Sequence, residues 1–357
     1  MNSDDVRALA RECGFELAGV AAAVPTPDAA IYREWVSKGY AGEMAYLTDR
    51  RAGVRDDPRN LLPSARSVIC VGKLYQTPWP YSTQFDDEAR AWISRYAWGD
   101  DYHDVLRRGL DQLAARMAER AGPFESKICV DTAPLLERSY ARLAGLGWIG
   151  RNTCLINQQG GSWFFLGELL ASLDIAPGAP PPDRCGTCRS CIDACPTAAI
   201  VQHGAGYTVD SRLCISYFTI EQRGVIAEEM RAGIGAHVFG CDICQDVCPW
   251  NRRAPATGDP AFAPRHFAPP LAEMAALSES EFRAMFGGTP VTRARYSGFL
   301  RNVAIAMGNC GLPQFCAPLE KLASSEDPVV AEHARWALQR CQPARPISPF
   351  AIPGPQQ

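Results

Sequence analysis

The sequence predicts an α+β protein in three parts: a mixed helix–strand region, a cysteine-rich middle and a helical end. Three observations carry that prediction. Eight of the fifteen cysteines fall into two interlocking runs. One is Cys185-x-x-Cys188-x-x-Cys191-x-x-x-Cys195-Pro196; the other is Cys214 followed by Cys241-x-x-Cys244-x-x-x-Cys248-Pro249. A stiff, proline-rich stretch, residues 176–183, precedes the first run and reads as a linker. After Pro249 the pattern turns helical, and residues 300–310 and 333–341 present similar faces about thirty residues apart.

Taken in order, residues 1–14 read as an amphipathic helix and residues 67–71 (SVICV) as a strand. Residues 102–121 and 134–144 are helix-like, and residues 153–157 (TCLIN) strand-like. The expected boundaries are 1–175 for an α/β domain, 176–255 for a ferredoxin-like domain and 256–357 for the helical region. The two helical units fit a short HEAT-like array or ordinary packed helices. The proline-rich residues 343–357 read as a tail or surface strap.

Composition narrows the function. Hydrophobic residues make up 47% of the 357, ordinary for a globular chain with a sizeable core. A formal net charge of −3 argues against a non-specific polyanion binder, though not against a local basic face. The chain starts without a secretory pattern, and no apolar run approaches the ~20 residues that span a bilayer. The expectation is a cytoplasmic monomer without membrane contact.

The first cysteine run is the bacterial ferredoxin pattern for a [4Fe–4S] cluster, and the second ends the same way with its first ligand moved upstream. In such two-cluster arrangements the fourth cysteine of each run crosses to the other cluster. That assigns Cys185, Cys188, Cys191 and Cys248 to one cluster, and Cys195, Cys214, Cys241 and Cys244 to the other. Zinc needs closed sets of four, and the first run carries one ligand too many for a single site. Disulfides need an oxidising compartment. The other seven cysteines (Cys13, Cys70, Cys129, Cys154, Cys310, Cys316, Cys341) lack ligand spacing and read mostly as small buried hydrophobes. Such a protein moves electrons singly.

Two further motifs need weighing. Gly145-x-Gly147-x-x-Gly150 matches a dinucleotide fingerprint but follows a helix and precedes a strand, the reverse of the required order. Its glycines read as a helix end and a close backbone turn, so no NAD site is expected. Asp131 sits at a strand-to-helix junction before Thr132-Ala133-Pro134. By local pattern it is either a helix cap with a lowered pKa or a buried acid with a raised one.

A resemblance adds what local pattern leaves open. The stretches at 94–103 (SRYAWGDDYH), 131–134 (DTAP), 145–152 (GLGWIGRN), 161–168, 214–224 (CISYFTIEQRG) and 300–309, with the eight cysteines, resemble the epoxyqueuosine reductase family. That family comprises cobalamin-dependent iron–sulfur enzymes of tRNA modification, related to corrinoid reductive dehalogenases. The resemblance spans nearly the whole chain in the family's order. It implies a cobalamin-cradling first domain, a two-cluster domain and HEAT-like helices behind. It also implies reduction of epoxyqueuosine to queuosine at the tRNA wobble position, the last step of queuosine formation, with Asp131 as proton donor. Cobalamin bridges single-electron clusters and a two-electron reduction because its cobalt reaches a strongly reducing state.

No histidine stands in a D-x-H-x-x-G frame, so cobalt is expected to lack a histidine ligand of that kind. Corrin contacts are expected at Arg55, Asp131, Asn157, Ser162 and Leu166, and at Ser216, Cys241 and Asp242 from the cluster side. The tRNA is expected at Glu221, Gln222 and Arg223; Arg138, Arg142, Arg151, Arg293, Arg295 and Arg301 are further basic candidates. An external low-potential electron donor is required. Two alternatives stand beside this one. A small-molecule corrinoid reductase of the dehalogenase type would share cobalamin and clusters. A pure electron-transfer subunit would leave the long DTAP-bearing domain unexplained.

Overall fold

The computed structural model describes residues 1–341; the expected tail at 343–357 lies outside the described residues. Its first part is built on a four-stranded sheet in the order Leu17–Ala22, Ser67–Leu74, Phe164–Ala171, Ser126–Cys129. Every neighbouring pair is antiparallel. The predicted strand at 67–71 is thus real and extends to Leu74. The α/β expectation for this part is corrected: helices and strands alternate along the chain, but long connections return each strand antiparallel to its neighbour rather than through parallel crossovers.

One face of the sheet is covered by the helices Ser3–Glu12 and Tyr102–Ala121. Leu106, Leu110, Leu113 and Met117 recur at helical spacing and are fully buried against Val71 and Leu169. Each such side chain contributes on the order of 1.5–3 kcal/mol relative to exposure. Asp101 caps this long helix by accepting the His103 N–H, and Gly122, at φ 82°, ends it. The other face is covered by the short helix Glu137–Leu143, which buries Tyr140 and Ala141.

That short helix ends on Gly145 at φ 90°. The Gly145 N–H donates to Arg142 O and the Leu146 N–H to Ala141 O, a Schellman closure. A Cβ on Gly147 would stand 2.2 Å from Ile156 O, in the hairpin of Trp148–Ile149 and Leu155–Ile156. The glycine motif therefore terminates a helix and admits a backbone, as its order implied.

A further core does not follow the expected boundaries at 175 and 255. Residues from Ala91 to Trp98 pack with Ile215–Phe239 and with the C-terminal helices in one cluster. The strand Trp92–Ile93 pairs parallel with His237–Phe239. The two predicted helical units lie in Arg295–Cys310 and Pro328–Arg340, with Cys316–Ala323 between them. Cys316 and Cys341, expected as plain buried hydrophobes, are joined in a disulfide 25 residues apart, because the two helices bring their ends together. Among the described residues no helix is long and apolar enough to cross a membrane.

Arg301 is wholly buried in this layer and donates to the carbonyls of Phe218, Gln222 and Gly224. It is a strut for the 217–224 segment, which corrects its candidacy as a phosphate contact. Arg301→Met should lower unfolding stability by about 2–4 kcal/mol, since it strands three buried carbonyls. Thermal denaturation monitored by circular dichroism checks this.

Candidate active site

Asp131 follows the edge strand Ser126–Cys129 and adopts φ 52°, the left-handed region that Asp enters more readily than most residues. Its N–H donates to Glu137 Oε1 at 2.6 Å. The residues after it are spent on tight turns, so the helix begins only at Glu137, with no side-chain cap. The helix-cap reading of Asp131 is therefore corrected.

Its carboxylate instead faces two cations. Asp131 Oδ2 lies 3.4 Å from His103 Nε2 and 3.3 Å from Arg293 Nη1. Burial pushes its pKa up, but His103 and Arg293 outweigh burial and hold it below the usual carboxylate range. The expected buried acid of raised pKa is also corrected, because the side chain is 42% exposed and sits between two positive charges.

His103 carries the proton. It stands in the first turn of the long helix, and its Nδ1 lies 2.7 Å from Oδ1 of the capping Asp101. Burial opposes its charge, yet Asp101 and Asp131 raise it to about 9. From 6.5, a shift of that size corresponds to roughly 3 kcal/mol of preference for the charged ring. Asp101 fixes the ring through Nδ1, leaving Nε2 3.4 Å from Asp131 Oδ2, an ion-pair contact without hydrogen-bond alignment. Tyr102 stacks on His103 at 4.1 Å and on Phe165 at 4.4 Å.

Arg293 binds Asp131 with one nitrogen and Glu221 with the other, at 2.8 Å, while Tyr46 Oη lies 3.2 Å away. Of these groups Arg293 lines a cavity of about 150 Å³, together with Tyr96, Asp101, Tyr102, His103, Pro290 and Thr292. His103 and Arg293 as partners of Asp131 were missed in the sequence. The only signal was the SRYAWGDDYH stretch, which carries His103 but says nothing of its neighbours.

The remaining candidates divide. Glu221, Gln222 and Arg223 follow a π-helical turn, Tyr217–Glu221, and adjoin the cavity through Arg293. Arg223 is held below the usual guanidinium range by burial and by Arg295 and Arg293. Arg295 is exposed. Arg138, Arg142 and Arg151, close to Asp131 in sequence, are engaged elsewhere: Arg138 with Thr153 O, Arg142 with Asp28, and Arg151 with Gly186 O. Arg55 is buried, donating to Arg51 O and lying over the Tyr32 ring. Asp242 is buried and accepts from Ser94 and the Arg95 N–H; Ser162 is bonded to Asn251 and Gln245. Asn157 donates to Leu146 O. These four hold loops in place. Leu166 differs: it is the one residue of the strand Phe164–Ala171 that is only partly buried, so it keeps some accessible surface at the edge of the core. Ser216 and Cys241 also keep accessible surface.

The cysteines gather as two groups. Cys185, Cys188, Cys191 and Cys248 line one cavity of about 240 Å³, together with Arg151, Arg184 and Trp250. Burial and neighbouring thiols push Cys191 and Cys248 up to about 11. Cys214 and Cys241 are raised by burial and by Cys195, and Cys244 by a hydrogen bond with Cys154, by burial, and by Cys241 and Cys214. None of the eight is in a disulfide. Thiols so crowded become thiolates only around a cationic centre. Among the described residues no three His, Cys, Asp or Glu groups converge as a single ion would require; thiols ringed round a cavity suit a larger inorganic cluster. Cys154, expected as an inert hydrophobe, lies against Cys244, and Cys13 and Cys310 are only half-buried.

Comparison with known proteins gives the following. Residues 184–251 match the family described as a 4Fe-4S double cluster binding domain, and residues 55–132 match epoxyqueuosine reductase QueG, DUF1730. The chain is 41% identical to an epoxyqueuosine reductase of Xanthomonas campestris, over 93% of this chain and 94% of the relative. It is 41% identical to that of Pseudomonas aeruginosa, over 95% and 94%. A crystal structure of epoxyqueuosine reductase with an epoxyqueuosine-modified tRNA-Tyr stem loop superimposes with a TM-score of 0.86 at 28% identity, covering 95% of this chain and 89% of that one.

The imidazole of His103 should titrate near pH 9 instead of near 6.5. Its folded value is raised, so the ion pair's contribution is complete below 6.5 and is lost as pH rises through about 9. Histidine-selective NMR checks the midpoint, which should fall in Asp131→Asn.

Proposed function

This chain belongs to the epoxyqueuosine reductase family, and from that premise we propose that it reduces epoxyqueuosine to queuosine at the wobble position of tRNA. The observation that carries this reading is the meeting of Asp131 with His103 and Arg293, both of which line one aromatic cavity. The net reaction takes two electrons and two protons, and releases the epoxide oxygen as water.

The two cysteine groups are proposed to hold two [4Fe–4S] clusters, the fourth cysteine of each run crossing to the other group. Cobalamin is proposed at the accessible surface of Leu166, with Ser216 and Cys241 on the cluster side and Arg55, Asn157, Ser162 and Asp242 shaping the wall. When bound, these groups supply single electrons and the strongly reducing centre that a two-electron step needs.

The chain's own part is the proton. Asp131 is a carboxylate at rest, and the proton it delivers is held on His103, 3.4 Å away. As the epoxide oxygen develops negative charge, a proton passes from His103 Nε2 to the Asp131 carboxylate and from Asp131 to that oxygen. The second proton of the net reaction comes from solvent. Arg293 holds the carboxylate and bridges it to Glu221, so the Glu221–Gln222–Arg223 segment is read as the edge that meets the anticodon loop. The parts 1–175, 176–255 and 256–357 are proposed as a cobalamin unit, a cluster unit and a HEAT-like helical region with its proline-rich tail. They are joined by the core that residues 91–98 and 215–239 share with the C-terminal helices. A low-potential donor reloads the clusters.

Anaerobic incubation of the reconstituted protein with cobalamin, a low-potential reductant and epoxyqueuosine tRNA should yield nucleoside lighter by one oxygen. Loss of that product on omitting cobalamin is expected; conversion without cobalamin would sink the reading, and no conversion by a fully loaded protein would favour a small-molecule substrate. Asp131→Asn should keep iron and cobalamin while turnover drops by about 10²–10⁴-fold, the range for removing a general acid. In Cys188→Ala, iron should fall from about eight to about four atoms per chain, the content of one [4Fe–4S] cluster, by colorimetric iron assay.

A further inference from the structure

Beneath Asp131 the sheet carries a buried acid that the proton path above does not use. Glu168 lies on the central strand, opposite Cys70 on one neighbour and Cys129 on the other. Its side chain is completely buried, and neither carboxyl oxygen finds a donor. The titratable groups that face it are Glu137 from the short helix, Asp131 from the loop, Cys70 and Cys129 from the flanking strands. Glu137 also faces Arg138 on its own helix and Tyr102 on the long helix. Among the described residues no cation pairs with Glu168.

A carboxylate left alone in such a place takes up a proton. The acid then has an O–H, and the neighbouring acceptor is Glu137. Burial and the charge of Glu137 push Glu168 well up, and burial with the charge of Asp131 pushes Glu137 up to about 7. Glu137 in turn accepts the Asp131 N–H at 2.6 Å, the bond that ties the left-handed turn to the sheet.

The geometry points to Glu137 and Glu168 as a proton-sharing carboxyl pair that positions Asp131, holding its loop so that the carboxylate meets His103 and Arg293. This rests on Asp131 being the proton donor. With a proton between them, Glu168 donates to one oxygen of Glu137 while the other accepts from Asp131 N–H. Once the pair is stripped of protons, two carboxylates face each other and that of Asp131 without a cation beneath, and the turn is driven outward. Glu137 gives up its own proton near pH 7, and the shared proton stays on Glu168, which burial and the Glu137 charge hold well above the usual carboxylate range. The hold is therefore present up to and above pH 7 and is lost as pH rises through the Glu168 value. Neither glutamate touches the reacting atoms in this account; both are positioning residues.

Infrared spectroscopy of the loaded protein reads the shared proton directly. Wild type should show a protonated-carboxyl C=O stretch at pH 7 that is absent or shifted in both Glu168→Gln and Glu137→Gln. The glutamine at 168 still donates to Glu137, and that at 137 still accepts from Asp131 N–H, so both variants keep the geometry while removing the titration. Turnover of wild type should hold through pH 7 and fall at higher pH, as Glu168 gives up the shared proton, with kcat affected and KM for tRNA unchanged. In either variant that alkaline limb should flatten, with kcat at pH 7 reduced no more than about tenfold. A wild-type spectrum without the protonated-carboxyl band, or an alkaline limb identical in both variants, overturns the proposal. Failure of the Asp131 reading looks different: Asp131→Asn would turn over normally while the infrared band stayed in place.

Discussion

The guanidinium of Arg293 is the constraint on which the rest of this site depends. It comes from the turn that opens the C-terminal helical layer, yet its two ends are taken by Asp131 of the first part and Glu221 beside the cysteine-rich part. One planar group with donors on both sides thus ties three stretches of chain, far apart in sequence, to one point. Removing it would leave Glu221 and Asp131 as neighbouring negative charges with only His103 between them and solvent. The same placement explains why Asp131, the proposed acid, is a carboxylate at rest: two cations favour its charged form more than partial burial opposes it.

The helical layer is therefore part of the site's construction. Arg301 and Asn302, both wholly buried, donate to the carbonyls of Phe218, Gln222, Gly224, Thr219 and Val238. The carbonyls of Phe218 and Thr219 belong to the π-turn that follows Cys214, those of Gln222 and Gly224 to the segment after it, and that of Val238 to the strand before Cys241. The π-turn has carbonyls that its own bonding leaves over, and the helix Arg295–Cys310 supplies their donors. A single helix thus carries Arg293 at its entry and braces the segments that bear two of the cluster cysteines. The core shared by residues 91–98, 215–239 and the C-terminal helices has the same consequence: these parts cannot separate without opening one hydrophobic cluster.

A chain of polar groups runs from the cavity to the sheet: Asp101 and His103, then Asp131, then the partly buried Glu137 and the fully buried Glu168. Asp131 is its most exposed member and pairs with cations, while Glu168, wholly out of solvent, favours the neutral form.

Much of this was legible in the sequence. The cysteine spacing gathers into two groups because short loops leave each run little freedom. The helix at 102–121 and the strand at 67–71 stand where hydrophobic periodicity put them, and the glycine motif ends a helix because only glycine closes a Schellman turn at φ 90°. Other features depended on distances across the fold. Arg138 and Arg142 lie near Asp131 along the chain but point elsewhere, while Arg293 is 162 residues away and touches it. Local pattern offered two states for Asp131 and the structure adopts neither, since a charge's pKa is set by whatever stands within a few ångströms and not by its neighbours in sequence. The sequence by itself determined the family and the double-cluster domain, and it singled out the candidate ligands and the candidate acid, because those reside in residue type and short spacing. Only the tertiary structure decided the acid's charge, its partners and the buried pair beneath it, because electrostatics and burial act through space.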